Sequence, residues 1–322
     1  MSGGGGPPIV ARTTDYHTAG EPFRIVTAGA PEPPGRRLLD KRRWAMENLD
    51  GLRRLLVNEP RGHADMYGCL VTEPEDEGGD LGVLFFHNAG FSTACGHGTI
   101  ALVTWALESS RLPAREGENR VVVDAPSGRL ETWALMRGGR VESVRFRNVP
   151  SFVLRRRVPV AGHVVDVAFG GAFYAIAPEV VGPERLDVLI GEGRRVKAEL
   201  NTAGWVAHPL EPELNEVYGV IWTDGDRNVT VFAEGEVDRS PCGSGTSARL
   251  ALLDLTGELA RGEELRHRGI LDTVFAGRVV GDCEVAGIPA VVTEVEGAAH
   301  LTGRHEFVLD PTDPLGTGFL LR

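Results

Sequence analysis

Residues 240–248 read Ser-Pro-Cys-Gly-Ser-Gly-Thr-Ser-Ala, and residues 94–101 read Ala-Cys-Gly-His-Gly-Thr-Ile-Ala. Both stretches contain the pattern Cys-Gly-x-Gly-Thr-x-Ala, with Cys95 in the first copy and Cys242 in the second. The two copies lie almost half of the 322-residue chain apart. Each follows an apolar, strand-like run, at residues 83–86 and 229–233, and leads into a helical pattern, at residues 100–107 and 248–255. The repeat predicts a duplicated fold with one cysteine in each half.

The glycines around each cysteine let the backbone turn tightly and leave amide N–H groups uncovered. The helix that follows directs its unpaired N–H groups and its positive dipole end toward the same place, which favours an anion. A helix N-terminus also lowers a thiol pKa from its free value of about 8.5, so we expect thiolate character. Two facing copies would hold a small carboxylate through four backbone amides, those of Gly96, His97, Gly243 and Ser244.

A pair of thiols on opposite sides of one carbon is the apparatus of a two-base racemase or epimerase. One thiolate removes a proton, and the other thiol delivers a proton to the opposite face. A single buried cysteine is more commonly a small hydrophobe, and we expect this of Cys69 and Cys283, which lie in apolar runs without glycines. Four cysteines in 322 residues without a secretory signal argue against a disulfide scaffold.

The two cysteine motifs resemble the two catalytic motifs of the proline racemase family. The resemblance extends through residues 17–26, 59–68 and 169–174 and through the closing residues 313–315, so it covers nearly the whole chain. That family comprises proline racemases, 4-hydroxyproline 2-epimerases and trans-3-hydroxy-L-proline dehydratases. It implies a cofactor-free fold similar to diaminopimelate epimerase, with two pseudo-symmetric halves and the active site in the cleft between them. The strands and helices predicted from the residues themselves give the same α+β class.

This chain departs from the family pattern at a few positions. Ala94 stands where the family usually has Met, and Ala19 stands where it has Gly, so the shape of the pocket is expected to differ. The family's dehydratases usually carry Thr at the position of Cys242. Because this chain keeps both thiols, racemisation or epimerisation of proline or a hydroxyproline is favoured over dehydration. Dehydration of trans-3-hydroxy-L-proline is the alternative.

Further substrate-binding residues follow from the same resemblance. His97 and Asp238 match family positions that hold the ring nitrogen of the substrate, and a carboxylate there suits a cationic secondary amine. The competing interpretations are a helix-approach cap for Asp238 and a solvent-facing residue at a helix start for His97. His63 and Asp65 are expected to line the pocket, although Gly62 and Gly68 equally suit a structural turn.

The predicted domain organisation follows the repeat. Residues 9–149 form a first half that carries Cys95, and residues 150–302 form a second half that carries Cys242. The tail, from about residue 303 to 322, is expected to return to the first half, and residues 1–8 are expected to be a flexible leader rather than a signal peptide.

Composition excludes several classes of partner. A net charge of −11 and a pI near 5.4 argue against nucleic acid and anionic membrane surfaces, and no apolar run is long enough for a membrane helix. The expected location is therefore the cytoplasm, and a homodimer is one expected assembly. The histidines lack metal-ligand spacing, and no Walker or dinucleotide-binding loop occurs, so neither a metal nor a cofactor is predicted.

Two other functional classes compete with the epimerase hypothesis. A hydrolase or redox enzyme would use Cys242 as a lone nucleophile with a histidine base, which leaves the duplicated thiol unexplained. A non-catalytic amino-acid binding protein would need the anion site but not the thiols. Replacement of both cysteines, which should spare binding in that case, separates this class from an enzyme.

Overall fold

The structure is a computed structural model that describes residues 9–321 of the chain. The predicted leader, residues 1–8, lies outside the described residues. Within residues 9–321 the first half contains three helices, α1 (Leu38–Asn48), α2 (Asp50–Val57) and α3 (Gly96–Glu108). Its strands are β1 (Ile9–Thr18), β2 (Glu21–Ala28), β3 (Tyr67–Thr72), β4 (Leu81–His87), β5 (Gly90–Ser92), β6 (Gly117–Ala125), β7 (Gly128–Arg137) and β8 (Arg140–Arg147).

The rest of the described chain has a similar composition of elements. Its helices are α4 (Leu186–Ala203), which follows a short 3₁₀ turn at Pro183–Arg185, and α5 (Gly243–Thr256). Its strands are β9 (Ser151–Val160), β10 (His163–Phe169), β11 (Phe173–Pro178), β12 (Val217–Asp224), β13 (Arg227–Phe232), β14 (Glu236–Asp238), β15 (Leu265–Arg268), β16 (Val274–Val285), β17 (Ile288–Gly297) and β18 (Ala299–Val308). The chain is therefore α+β, as the sequence predicts.

One order of strand pairings occurs twice along the chain. In the first half β2 pairs in parallel with β3 across the α1–α2 crossover, and the antiparallel β3–β4 and β4–β5 pairs lead into α3. In the second half β11 pairs in parallel with β12 across α4, and the antiparallel β12–β13 and β13–β14 pairs lead into α5. This recurrence places each cysteine at the same point of its pairing series.

Two sets of pairings connect the halves. The last strand, β18, begins at Ala299 and runs antiparallel to β1. Strand β17 pairs with both β8 and β9 at the junction of the halves. The tail also forms an isolated bridge, between Phe319 and Glu59. The junction is therefore part of the sheet and not a free linker.

The two helices that carry the cysteine motifs lie inside the core. In α3 every residue from Gly96 to Leu107 is buried, and in α5 every residue from Gly243 to Leu252 is buried. Burial of a helix on all sides favours apolar residues, which accounts for the Ile-Ala-Leu-Val and Ala-Leu-Leu runs of these segments. Burial fixes the position of both helix N-termini. None of the described helices combines the length and the apolar character needed to cross a membrane.

Two elements of the structure are interrupted, and one cysteine differs from its prediction. Helices α1 and α2 are separate because the backbone leaves helical geometry at Leu49 (φ −117°, ψ 9°). Strands β16 and β17 form a long hairpin that stays paired through a register shift between Val279 and Gly281. Cys283, predicted to be buried, is only half-buried on β16, whereas Cys69 is fully buried.

Candidate active site

The N-termini of α3 and α5 meet head to head. A Cβ atom added to Gly96 would lie 2.5 Å from the Cα of Gly243, and one added to Gly243 would lie 2.6 Å from the Cα of Gly96. Only glycine permits so close an approach of two backbones. The first amide N–H groups of each helix have no acceptor within their own helix, so both helices direct donors and positive dipole ends toward one point. Two like dipole ends in contact are most stable with an anion between them.

Cys95 is the N-cap residue of α3. Its Sγ accepts a hydrogen bond from the amide of Gly98 at 3.3 Å and lies 3.5 Å from both ring nitrogens of His97. A Cβ on Gly98 would come within 2.7 Å of this sulfur and 2.4 Å of the Phe23 ring. The Gly-His-Gly sequence is therefore needed to seat the thiol over the first turn of the helix.

Cys242 occupies the equivalent position before α5, in a different backbone conformation. Its φ of +63° lies in the left-handed region that is uncommon for a residue with a side chain, and such outliers concentrate at functional sites. The Cys242 amide donates to the Ser240 hydroxyl at 3.1 Å, and the thiol lies 3.7 Å from the Tyr174 hydroxyl. A Cβ on Gly245 would lie 2.9 Å from the sulfur, so glycine again makes room for the thiol.

Burial controls the ionisation of both thiols. It raises the pKa of Cys242 to about 12 and raises the pKa of Cys95 well above its usual value. Hydrogen bonds from the Gly98 and Gly245 amides act in the opposite direction but are outweighed. The sequence-based expectation of a lowered thiol pKa thus differs from the structure, because withdrawal of the sulfur from water outweighs the favourable helix N-terminus.

A carboxyl group and an imidazole lie beside Cys95. Asp238 accepts hydrogen bonds from the amide of Ser240 at 2.8 Å and from its hydroxyl at 2.7 Å, and its other oxygen lies 3.9 Å from Nδ1 of His97. Burial raises the pKa of Asp238 to about 6 and lowers the pKa of His97 to about 3. Near neutral pH the pair therefore consists of a carboxylate and a neutral imidazole. Both groups can accept hydrogen bonds from a bound ammonium group.

Glu21 adds a second buried carboxyl group next to Asp238. One of its oxygens accepts a hydrogen bond from the amide of Arg239 at 2.7 Å, and the other is buried without a partner among the described residues. Burial, followed by the nearby charge of Asp238, raises the pKa of Glu21 well above its usual value. The Arg239 guanidinium joins this group to Asp65 at 3.1 Å. Residues that the sequence places far apart thus form one buried acidic cluster behind the cysteines.

Most of the sequence-predicted site residues converge. Cys95, Gly96 and His97 from the first half face Asp238, Cys242, Gly243 and Ser244 from the second half. His63 is the exception, because it is exposed and its ring is hydrogen-bonded to the neighbouring Ala64 carbonyl at 2.7 Å. Within residues 9–321 no contact links His63 to the thiols, so its role in binding stays a prediction.

Sequence reasoning did not single out the tyrosines that surround the two thiols. The Tyr174 hydroxyl is 2.7 Å from Ser244 Oγ, and the hydroxyls of Tyr67 and Tyr218 are 2.8 Å apart. Tyr67 is also hydrogen-bonded to Ser92. Tyr174 lies within residues 169–174 and Tyr67 within residues 59–68, two of the stretches that resemble the family. Their position in these stretches could have identified them as candidate site residues.

A cleft leads from the surface toward these hydroxyls. It has a volume of about 260 Å³ and is lined by residues of both halves, among them His87, Ser92, Phe173 and Tyr218. Each of the two cysteines is only 5% exposed. The structure therefore keeps both thiols away from bulk water.

A group of side chains able to hold a metal lies elsewhere. His163, Glu179 and Glu192 bring one ligand atom each to within 4.8 Å of one another, at the start of β10, just after β11 and on α4. The two carboxylates also pair with Arg185 and Arg195, at 3.3 and 3.2 Å. These contacts do not join the cluster to Cys95 or Cys242.

Comparison with known proteins agrees with the motifs. Residues 13–320 match the family model described as proline racemase. A trans-3-hydroxy-L-proline dehydratase of Bacillus cereus is 45% identical over 325 residues, which cover 96% of this chain and 97% of the relative. A 3-hydroxyproline 2-epimerase of Burkholderia multivorans is 45% identical over 327 residues, which cover 96% and 98% of the two chains.

Solved structures give the same picture of the fold. The crystal structure of a hydroxyproline epimerase from Agrobacterium vitis, with bound trans-4-hydroxy-L-proline, superposes with a TM-score of 0.90 at 31% identity. The superposition covers 97% of this chain and 95% of the other. A predicted epimerase from Pseudomonas aeruginosa has a TM-score of 0.60 at 16% identity, which extends the likeness of fold to a more distant protein.

Proposed function

This chain belongs to the proline racemase family, and from that premise we propose that it is a cofactor-independent epimerase. Its substrate is proline or a hydroxyproline, and its reaction inverts the α-carbon by a two-thiol acid–base mechanism. The observation that carries the proposal is the head-to-head contact of α3 and α5 at Gly96 and Gly243, with a cysteine at the start of each helix. That arrangement suits an amino-acid carboxylate held between two thiols.

The carboxylate is bound by the first amides of both helices, those of Gly96, His97, Gly243 and Ser244. As the α-proton leaves, negative charge moves from the α-carbon into the carboxylate. Fixed N–H donors and dipole ends around that carboxylate stabilise the developing charge without rearrangement. A carboxylate site of this kind therefore supports the chemical step as well as binding.

Cys95 and Cys242 exchange one proton with the substrate. The thiolate of one cysteine takes the α-proton and becomes a thiol, while the other thiol protonates the opposite face and becomes the thiolate. The inverted product leaves an enzyme with its protons redistributed and unchanged in number. Because burial raises the thiol pKa values, formation of the initial thiolate depends on positive charge brought by the substrate ammonium group.

Asp238 and His97 receive the ring nitrogen. A protonated secondary amine beside the Asp238 carboxylate stays cationic, and its charge acidifies the neighbouring α-carbon. The neutral imidazole of His97 accepts a hydrogen bond from the second N–H of the amine. This ring lies 3.9 Å from the Asp238 carboxylate and 3.5 Å from the Cys95 sulfur. This assignment rests on the family resemblance and on the distances between these groups.

The second candidate reaction is elimination of water from trans-3-hydroxy-L-proline. It is supported by the names of several relatives of about 45% identity, including that of Bacillus cereus. Elimination needs one base for the α-proton and one acid for the departing hydroxyl, and the dehydratases of the family usually have Thr where this chain has Cys242. Retention of the second thiol favours epimerisation.

Proton nuclear magnetic resonance in D₂O separates the two reactions. We expect L-proline, trans-4-hydroxy-L-proline or trans-3-hydroxy-L-proline to exchange its α-proton for deuterium and to yield the other α-epimer with its ring hydroxyl intact. Loss of the 3-hydroxyl without an epimer would identify the dehydratase. Failure of every proline-ring amino acid to exchange, with a folded protein, would refute both candidates.

A further inference from the structure

The chain has four tyrosines, and three of them, Tyr67, Tyr174 and Tyr218, surround the two thiols. We call these three the tyrosine arc. Tyr67 lies on β3 of the first half, whereas Tyr174 and Tyr218 lie on β11 and β12 of the second half. Tyr67 and Tyr174 are 2% and 0% exposed, so their hydroxyls lie in the protein interior. A buried phenol in place of a phenylalanine demands a hydrogen-bond partner, which makes such a cluster costly unless it is used.

The arc connects one thiol with the other through a continuous series of contacts. His97, which touches Cys95, meets the Tyr67 ring edge to face at a centroid distance of 5.1 Å. The Tyr67 and Tyr218 hydroxyls are 2.8 Å apart, and the Tyr218 and Tyr174 rings meet edge to face at 5.9 Å. The Tyr174 hydroxyl ends the series 3.7 Å from Cys242. The arc therefore forms a wall that spans the gap between the thiols.

The geometry of an amino acid held between the thiols determines which substituent of its α-carbon faces the tyrosine arc. When the α-carbon is planar, the thiols lie above and below it and three substituents lie in the plane. The carboxylate points to the ends of α3 and α5, and the nitrogen points to Asp238 and His97. The remaining direction belongs to ring carbon C3, and the remaining wall is the arc.

A hydroxyl on C3 projects out of the ring plane toward one of the thiols. On the Cys242 side it approaches the Tyr174 hydroxyl, and on the Cys95 side it approaches the Tyr67 hydroxyl. Each phenol can donate one hydrogen bond and accept further ones. Tyr67 is already bonded to Ser92 and Tyr218, yet an acceptor or donor position remains open for a ligand oxygen. The wall can thus pair a ring hydroxyl on either face.

We propose that the tyrosine arc is the specificity element of this site and that it selects a 3-hydroxylated proline ring over proline itself. This inference rests on the proposed function, because the direction of C3 follows from the proposed places of the carboxylate and the amine. A site built to hydrogen-bond a hydroxyl discriminates strongly against a ligand that lacks it, because its own polar groups are then left unpaired. The selection applies whether the hydroxyl stays, as in epimerisation, or leaves, as in elimination.

The test compares Tyr67→Phe, Tyr174→Phe and Tyr218→Phe with wild type on 3-hydroxyproline and on proline. Tyr16→Phe is the matched control, because Tyr16 is the fourth tyrosine, is 3% exposed and lies on β1 outside the arc. We expect at least one arc variant to lose roughly 10- to 100-fold more in kcat/KM for 3-hydroxyproline than it loses for proline. The control should keep the wild-type ratio. Equal losses on both substrates, or an unchanged ratio in all three folded variants, would overturn the inference.

A binding measurement keeps this inference separate from the proposed reaction. The Cys95→Ser/Cys242→Ser double variant lacks both thiols but retains the arc, so calorimetry can compare 3-hydroxyproline, 4-hydroxyproline and proline without turnover. Tighter binding of the 3-hydroxylated ring supports the inference even if wild type performs another reaction. Equal Kd values, or a preference for the 4-hydroxylated ring, would refute it while epimerase activity of the wild type stands.

Discussion

Gly96 and Gly243 belong to different halves of the chain, yet a Cβ on Gly96 would lie only 2.5 Å from the Cα of Gly243. The neighbouring atoms are backbone of a second buried helix, so no flexible side chain can move aside. This contact sets the distance between the two thiols. It also joins the two sets of amide donors into one anion site.

Gly96→Ala is therefore expected to push the helix ends apart. We expect a loss of about 1–3 kcal/mol in the free energy of unfolding from overpacking, together with a large fall in kcat/KM. Gly191→Ala is the matched control, since Gly191 is also helical but has nothing within 4 Å of an added Cβ. Thermal unfolding and kinetics of both variants check this. A Gly96→Ala variant with wild-type stability and activity would contradict the close approach.

We expect Asp238 to cause a fall in the proposed activity at acidic pH. Because burial raises its pKa to about 6, the carboxyl is protonated and uncharged below that pH and ionised above it. We expect kcat/KM to fall roughly tenfold for each pH unit below about 6 as the partner of the substrate ammonium is lost. In the pH profile of kcat this fall should begin at lower pH, because the bound ammonium group favours the ionised form of Asp238.

Asp238→Asn provides the check on that assignment. It cannot ionise, so it should have low activity and lack this fall at acidic pH. Retention of the same fall in Asp238→Asn would show that another group titrates, and the neighbouring Glu21 would be the first to test.

The cysteine motifs illustrate how far the sequence predicts the site. The repeat identified both thiols and the strand-to-helix context of each. It placed the helix starts near Ile100 and Ala248, whereas the helices begin at Gly96 and Gly243. Glycine has poor helix propensity, so the local signal starts late. The close approach of the two helix ends, which requires those glycines, is a tertiary contact that local propensity does not contain.

The polar surroundings of the thiols depend on contacts across the chain. Tyr67 and Tyr218 are 151 residues apart and meet only when the halves associate. The elevated thiol pKa values likewise follow from burial, which the motif alone does not reveal. His63 is a different case, because its place in a matching motif suggests a pocket residue, whereas the folded loop leaves it exposed and its role in binding stays a prediction.

Metal removal should leave activity unchanged. In the proposed mechanism the carbanion is stabilised by backbone amides and helix ends, and proton transfer uses thiols, so no step calls on a Lewis acid. We expect dialysis against EDTA to preserve turnover and added zinc or magnesium not to increase it. A zinc enzyme dialysed in parallel is the control for complete chelation. Activity lost on dialysis and restored by a metal would refute this part of the mechanism.

A planar carboxylate should bind in the anion site. Pyrrole-2-carboxylate has a flat ring carbon where the substrate has its α-carbon, and it therefore resembles the planar species formed during inversion. We expect calorimetry to detect binding and the unfolding temperature to rise at saturating ligand. Gly96→Ala should weaken the binding, because it separates the donors. No heat and no thermal shift with wild type would count against the carboxylate site.

Replacement of Cys242 distinguishes a mechanism that uses two thiols from one that uses a single base. A hydroxyl has a far higher pKa than a thiol, so neither Ser nor Thr can serve as a base of similar strength. Cys95→Ser and Cys242→Ser are each expected to abolish inversion, and Cys69→Ser, which alters a buried cysteine on β3, should not. Nuclear magnetic resonance in D₂O reports exchange and inversion separately.

Cys242→Thr carries the comparison further, because it recreates the residue usual in the family's dehydratases. It should lose inversion, since no group then protonates that face. It retains Cys95 as base, so slow release of water from trans-3-hydroxy-L-proline is the expected residual activity. Near wild-type inversion by Cys242→Ser would show that the two-thiol mechanism is wrong, and release of water as the main reaction of the wild type would favour the dehydratase.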